Sequence, residues 1–353
     1  MLMQVSAGRG RGPEVVGFYD PLASSIQYLA SDPTTGRCAV IDPVLDYDAV
    51  TGSTSTGSAD ALLDVVRERG FEIAWILDTH PHADHLTAAH YLRRRTGAPT
   101  ATGARVVEMQ RFWHDVFGPG AFTCEGSEWD RLFDDGDAFD IGVLACRVIP
   151  SPGHTLASVT YAVGDAAFVH DTLFMPDAGT ARADFPGADP RELWRSIGRI
   201  LALSDDTRLF SGHDYQPGGR EPAWESTVGE QKRSNPHIAA KVDEDAFTAL
   251  RTARDRTLPL PRLMLPALQV NLAGGRLPAP DGEGRRDLRI PLDAFPSAKR
   301  TLFTQRRGGG SERLLWSSGP AWSYVDTGST PAGNGRTARQ GGERNGRTRK
   351  FGG

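Results

Sequence analysis

Short apolar runs rich in β-branched residues alternate with longer stretches of helical periodicity through most of the chain. Residues 25–29 and 38–41 read as strands, the second stopped by the turn pair Asp42-Pro43. Residues 52–58 are all Gly, Ser and Thr and read as a flexible surface loop. Beyond Asp60, the positions Ala61, Leu62, Val65 and Val66 share one helical face, and Gly70 supplies a C-cap before a strand at 73–77. A strand-helix-strand step follows. A helix at 88–95 stops at Gly97; strands are expected at 146–149, 159–163 and 167–169, and an amphipathic helix at 193–203. The proline-rich residues 258–263 read as a rigid connection without chemistry. Strands gathered into sheets, with helices on the outer faces, suggest an α/β protein of the αββα sandwich type, an expectation that leans on the motifs at the strand ends.

Composition sharpens this picture. A chain of 353 residues, 39% hydrophobic and 24% charged, can bury a substantial core, and no run approaches the ~20 apolar residues of a membrane span. Collagenous, transmembrane and wholly disordered proteins are excluded. Three cysteines, Cys38, Cys124 and Cys146, lie far apart, which excludes a disulfide scaffold or a cysteine-rich zinc module and favours a reducing compartment. The N-terminus lacks the apolar core of a secretory signal, so a cytoplasmic location is expected. The net charge of −4 divides unevenly, because residues 297–353 carry eleven Lys and Arg against three Asp and Glu, with a dozen Gly. A disordered basic tail at 297–353 is therefore expected beside an acidic body at 14–296 and a flexible N-terminus at 1–13. Trp316, Trp322 and Tyr324 form one short patch instead of interleaving with the basic run. Neither a nucleic-acid nor a membrane partner is expected, and self-association is left open.

The chemistry concentrates at strand ends. Thr79-His80-Pro81-His82-Ala83-Asp84-His85 places three of the nine histidines and a carboxylate where a strand gives way to a helix, a density that points to metal ligation. Pro152-Gly153-His154-Thr155 follows a second strand, His170-Asp171-Thr172 a third and Gly212-His213-Asp214-Tyr215 a fourth. Rigid elements can thus hold each donor in place. His90, His114, His170 and His237 read as core histidines, and Cys38 and Cys146 as small core residues.

These motifs, in this order, resemble those of the metallo-β-lactamase superfamily. Asp42-Pro43-Val44-Leu45, Asp171-Thr172-Leu173-Phe174, residues 179–185, His213-Asp214-Tyr215 and residues 226–236 are further similar to persulfide dioxygenases, in particular a bacterial branch of β-lactamase-like hydrolases. The resemblance covers about residues 14–296. It implies a metallo-β-lactamase-type αββα sandwich and one Fe(II) per chain, held by His80, His154 and Asp171, the two-imidazole, one-carboxylate set of non-haem iron oxygenases. The implied reaction oxidises glutathione persulfide, or a related small thiol persulfide, with O2 and water to sulfite and the thiol. Tyr215 is the candidate for orienting a ligand at the metal. Arg182, with Lys232 and Arg233 as helpers, is the candidate for holding glutathione carboxylates.

The chain departs from that pattern at His170, where many members carry Gly before the metal-binding Asp, and at 181–185, which reads Ala-Arg-Ala-Asp-Phe. His170 is expected in the core or hydrogen-bonded behind a ligand. The same donors also suit a rival: a two-zinc thioester hydrolase of glyoxalase II type. His80, His82 and His154 would hold one Zn(II), Asp84, His85 and His213 the other, and Asp171 would bridge.

Overall fold

The computed structural model describes residues 2–295 except 9, 11, 240 and 241; the expected basic tail and its aromatic patch lie outside the described residues. In chain order, β1 (Leu2–Ser6), β2 (Glu14–Asp20), β3 (Ser25–Ser31), β4 (Arg37–Ile41), β5 (Val44–Asp48), β6 (Ser53–Ser55), β7 (Glu72–Leu77), β8 (Leu86–Thr87), β9 (Thr100–Gly103) and β10 (Arg131–Phe133) come first. They are followed by β11 (Ala138–Ile141), β12 (Leu144–Pro150), β13 (Val159–Val163), β14 (Ala166–His170), β15 (Arg208–Ser211) and β16 (Glu225–Thr227). One sheet runs β1-β2-β3-β4-β7-β9-β10, a second β11-β12-β13-β14-β15-β16, and a small third sheet β6-β5-β8.

The strands alternate between two buried faces. Val15, Tyr28, Ile41 and Leu77 of the first sheet meet Phe139, Tyr161, Phe168 and Phe210 of the second in one apolar cluster. Their neighbours point outward: Val16, Leu29 and Val40 pack under α1 (Gly57–Glu68) and α2 (Ala89–Thr96), while α3 (Val106–Phe117) builds its own cluster at one end. Ala167, Val169 and Leu209 pack under α4 (Pro190–Leu201), α5 (Val228–Ser234) and α6 (Glu244–Asp255). A last helix, α7 (Met264–Asn271), lies against β8 and contributes Ala267 and Val270 to the first outer layer. This is the expected αββα sandwich. β4 and β7 pair in parallel across α1, and β14 and β15 across α4, which is the crossover that parallel neighbours require.

The structure corrects three expectations. Residues 2–6, expected to be flexible, form an edge strand paired antiparallel with β2 from Leu2↔Tyr19 to Ser6↔Val15. The Gly-Ser-Thr stretch at 52–58 holds β6 and the first turn of α1, because Asp46 accepts from Ser58 N–H and both Ser55 and Ser58 hydroxyls. His90 and His114 are half-buried at the surface and not core residues, whereas His170 and His237 are buried. All three cysteines are free, with burial pushing the Cys38 and Cys146 thiols up to about 12. Among the described residues, no helix is long and apolar enough to cross a membrane.

Candidate metal centre

The histidine-rich motif leaves β7 and turns before β8, so its side chains collect at one end of the sandwich. His154 projects from the turn between β12 and β13. Gly153 in that turn has φ 128°, and a Cβ there would sit 2.2 Å from the Leu193 backbone nitrogen, so only glycine lets α4 pass this closely. Asp171 follows β14 and His213 follows β15.

Two groups of donors result. His80, His154 and Asp171, all buried, bring one donor atom each within 4.8 Å of one another, and His82, Asp84 and His85 do the same. The second grouping differs from the expected two-ion division, since His82 sits with Asp84 and His85; its ring lies between those of His80, at 4.0 Å, and His85, at 4.2 Å. His213 joins the groups: its Nδ1 is 2.6 Å from Asp171 Oδ1 and its Nε2 2.8 Å from Asp84 Oδ2.

Neighbouring groups aim the imidazoles. His154 Nδ1 donates to the Arg182 carbonyl at 2.9 Å and His85 Nδ1 to the Leu86 carbonyl at 3.3 Å, which leaves each Nε2 with a free lone pair. Thr79 Oγ1 donates to Asp42 Oδ2 at 2.7 Å and so accepts from His80 Nδ1 at 3.0 Å. Asp42 also takes the Thr79 N–H at 2.7 Å and approaches His82 Nε2 to 3.1 Å, while its own backbone is left-handed at φ 51°.

The protonation pattern suits a cation. Burial, reinforced by neighbouring imidazoles, holds His80 well below the usual range, and holds His85 at about 4, so both are neutral. Asp171 and Asp84 are kept ionised: burial opposes this, but His213 and further imidazoles outweigh it and lower both carboxyls. His82 is the exception: burial opposes its charge, but Asp42, with Asp84 and Asp171, outweighs burial and raises its pKa to about 9, so its ring is charged beside Asp42. The neutral imidazoles of His80 and His85 and the ionised carboxylates of Asp84 and Asp171 fit divalent metal binding.

A cleft of about 1290 Å³ opens over these donors. Asp84, His154, Asp171 and His213 form its base, with Phe174, Phe185 and Tyr215 above them. Tyr215 stacks on His213 at 5.6 Å with the rings 8° from parallel. Arg182 reaches the cleft, but its fork is engaged: it binds Asp184 at 2.6 and 2.8 Å and donates to the Pro259 carbonyl at 2.6 Å. Lys232 and Arg233 fall outside the cleft; Lys232 pairs with Asp205 at 2.6 Å on an exposed face of α5. Residues 258–263, expected to be an inert connection, form part of the cleft wall.

Other wall residues carry no motif. Arg254, Arg262, His237 and the buried Arg251 line it, and Arg251 braces it by donating to the Thr180 carbonyl and pairing with Asp255. Asn271 was equally hidden. From the end of α7 it donates to the His82 and His85 carbonyls at 2.8 Å each and accepts from the Thr87 N–H at 2.8 Å, stapling the donor loop. Its one signal in sequence is an amide among the apolar residues of MLPALQVN.

Fold and donors together define the metal-dependent enzymes of one superfamily. The family model described as metallo-beta-lactamase superfamily matches residues 23–213, and the chain belongs to that family. It is 62% identical over 286 residues to the Beta-lactamase hydrolase-like protein of Xylella fastidiosa strain 9a5c, covering 81% of this chain and 66% of that longer relative. It is 43% identical to Glyoxylase B2 of Dictyostelium discoideum, over 76% of this chain and 92% of that protein. Among solved structures, ETHE1 from Myxococcus xanthus superposes with a TM-score of 0.59 at 28% identity, covering 78% of this chain and all of that one.

Proposed function

We propose that this chain is a mono-iron persulfide dioxygenase converting glutathione persulfide, O2 and water to glutathione and sulfite in a reducing cytoplasm. The observation that carries the reading is the buried His80, His154 and Asp171 set, of which His154 and Asp171 line a roomy cleft. The motif resemblance to persulfide dioxygenases and the fold likeness to ETHE1 support it. One persulfide, one O2 and one water balance as one thiol, one sulfite and two protons. The S–S bond breaks, three S–O bonds form on the outer sulfur, and the two sulfurs together give four electrons to O2.

His80, His154 and Asp171 would hold the ion. When bound, Fe(II) supplies the electron path between O2 and sulfur that a side chain lacks. The chain's own groups do the rest. Thr79, Asp42 and the Arg182 carbonyl fix the two imidazoles; Phe174 and Phe185 restrict water beside them. His213, held protonated between Asp171 and Asp84, keeps a proton at the cleft base. Arg254 and Arg262 are the cations of the wall best suited to a carboxylate of glutathione, and Tyr215 covers the donors from the mouth. Arg182 braces the wall through Asp184 and Pro259.

A second reading rests on the His82, Asp84 and His85 group, whose donors could hold a second cation in a two-zinc, glyoxalase II-like hydrolase. The likeness to Glyoxylase B2 points the same way. Metal analysis together with two assays separates the readings. Iron near one per chain with O2 uptake on glutathione persulfide is expected; zinc near two per chain with rapid glutathione thioester hydrolysis and no O2 uptake would replace the dioxygenase by the hydrolase.

A further inference from the structure

His170 is held in a backbone conformation that a mere packing role does not require. It ends β14 with φ 42°, in the left-handed region that favours glycine, and is 1% exposed. The pairing of β14 with β15 shifts register between Phe168 and His170. At this irregularity the imidazole Nε2 meets two hydroxyls, Ser151 Oγ at 3.0 Å and Thr172 Oγ1 at 2.8 Å. Ser151 opens the turn that carries His154; Thr172 directly follows Asp171. Ser151 Oγ in turn meets Thr160 Oγ1 of β13 at 3.0 Å, so the bridge is anchored in the sheet.

The other ring nitrogen, Nδ1, has no hydrogen-bond partner, which makes the bridge the ring's whole polar engagement. The ring centre lies 5.1 Å from that of His80, one layer behind the donors. Backbone room for this arrangement comes from Gly212, where a Cβ would fall 3.2 Å from His170 Cα and 2.6 Å from Asp171 Oδ1.

We propose that His170 is a positioning residue for the metal donors: by tying the Ser151 hydroxyl to the Thr172 hydroxyl, its imidazole fixes the separation of the His154 turn from the Asp171 strand end. The inference rests on the reading of His80, His154 and Asp171 as donors. A direct ligand role is disfavoured because, among the described residues, His170 belongs to neither group of converging donors. Simple cavity filling would require neither those contacts nor a left-handed histidine.

The test uses the full chain, stripped of metal, with cobalt(II) alone as probe. Affinity is read by chelator competition, and donor geometry by the visible absorption of the bound ion. H170L keeps bulk but loses the bridge; H170Q keeps a polar atom near the position of Nε2. The Leu variant is expected to bind cobalt about 10–100-fold more weakly with an altered visible band, and the Gln variant to recover affinity to within about threefold. Both metal-free variants are expected to melt at similar temperatures, so that lost folding stability does not account for the difference. Should H170L not fold, H170G, which relieves the left-handed backbone, is expected to show the same weakened binding. Wild-type affinity in the Leu or Gly variant, or failure of Gln to recover it, would overturn the positioning role. A wild-type chain that binds no cobalt would overturn the donor reading beneath it, and the proposal with it.

Discussion

The base of the cleft and its wall are built on opposite plans. The base takes its donors from strand ends and the tight turns that follow them, so the sheets themselves set the spacing of His80, His154 and Asp171. The wall is assembled from loops and helix ends tied across the chain: Arg182 to Pro259, Ala183 to Asp255, Thr180 to Arg251. A sheet-held site resists change and suits an ion that demands fixed geometry. A loop-built wall can vary without disturbing the fold, which is where substrate selection is expected to reside.

The largest effect belongs to the base. Asp171→Ala removes a donor and also the Nδ1 partner of His213, so complete loss of bound metal and turnover is expected on elemental analysis and assay. Retained metal would remove Asp171 from the site. His85→Ala sharpens the point: one iron with partial activity is expected under the mono-iron reading, whereas a two-ion site would lose one of its ions.

Asn271 staples the donor loop to α7, and its loss should be felt as stability first. Asn271→Leu leaves the His82 and His85 carbonyls and the Thr87 N–H buried without their partner, a cost of about 3 kcal/mol. Urea unfolding of the metal-free protein measures it. Metal affinity should fall as well, because the donor loop loses its staple. An unchanged midpoint would mean that the loop holds its shape without α7.

These two plans also explain what could be read from the chain. The base was legible because its residues are either neighbours in sequence, as in His80 to His85, or follow an apolar run, with Gly beside His154 and His213. The alternation of strands and helices was legible from periodicity, and the sandwich from the strand-end motifs and the resemblance they carry. The wall was not, since Arg182 and Pro259 are 77 residues apart, Thr180 and Arg251 71, and no local pattern links them; nor does one link Asn271 to His82, 189 residues away. Lys232 and Arg233 had the right charge and the wrong face of α5. β1 escaped because four of its five side chains are exposed, so it carries no burial signature and is held by backbone pairing alone. Residues 258–263 look like a spacer, yet the Pro259 carbonyl is the partner of Arg182.

On the wall, Arg254→Ala combined with Arg262→Ala should raise KM for glutathione persulfide about tenfold while metal content stays unchanged. Equal effects on a persulfide lacking carboxylates would show that the pair acts on the wall's shape and not on the substrate's charge.

The smallest effect is a pH dependence seated in the wall. His237 is buried, and its Nδ1 accepts from both the Thr180 N–H and the Thr180 hydroxyl at 3.0 Å, which fixes a neutral ring. Burial, with Arg251 and Arg254 nearby, lowers its pKa to about 4. Because this folded value lies below the unfolded one near 6.5, the unfolded chain takes up the proton first as pH falls. Stability is therefore full above about pH 6.5 and declines on acidification until the folded ring titrates at about 4. At pH 5.5 the loss from this group is about 1 kcal/mol. His237→Asn keeps an acceptor close to the Nδ1 position and removes the titration. Between pH 7.5 and 5.5 the wild-type chain should thus lose about 1 kcal/mol more than the variant in urea unfolding. The other buried histidines titrate in both proteins and cancel in the comparison. Equal losses in the two would mean that the His237 ring titrates in the folded wall as it does in the unfolded chain.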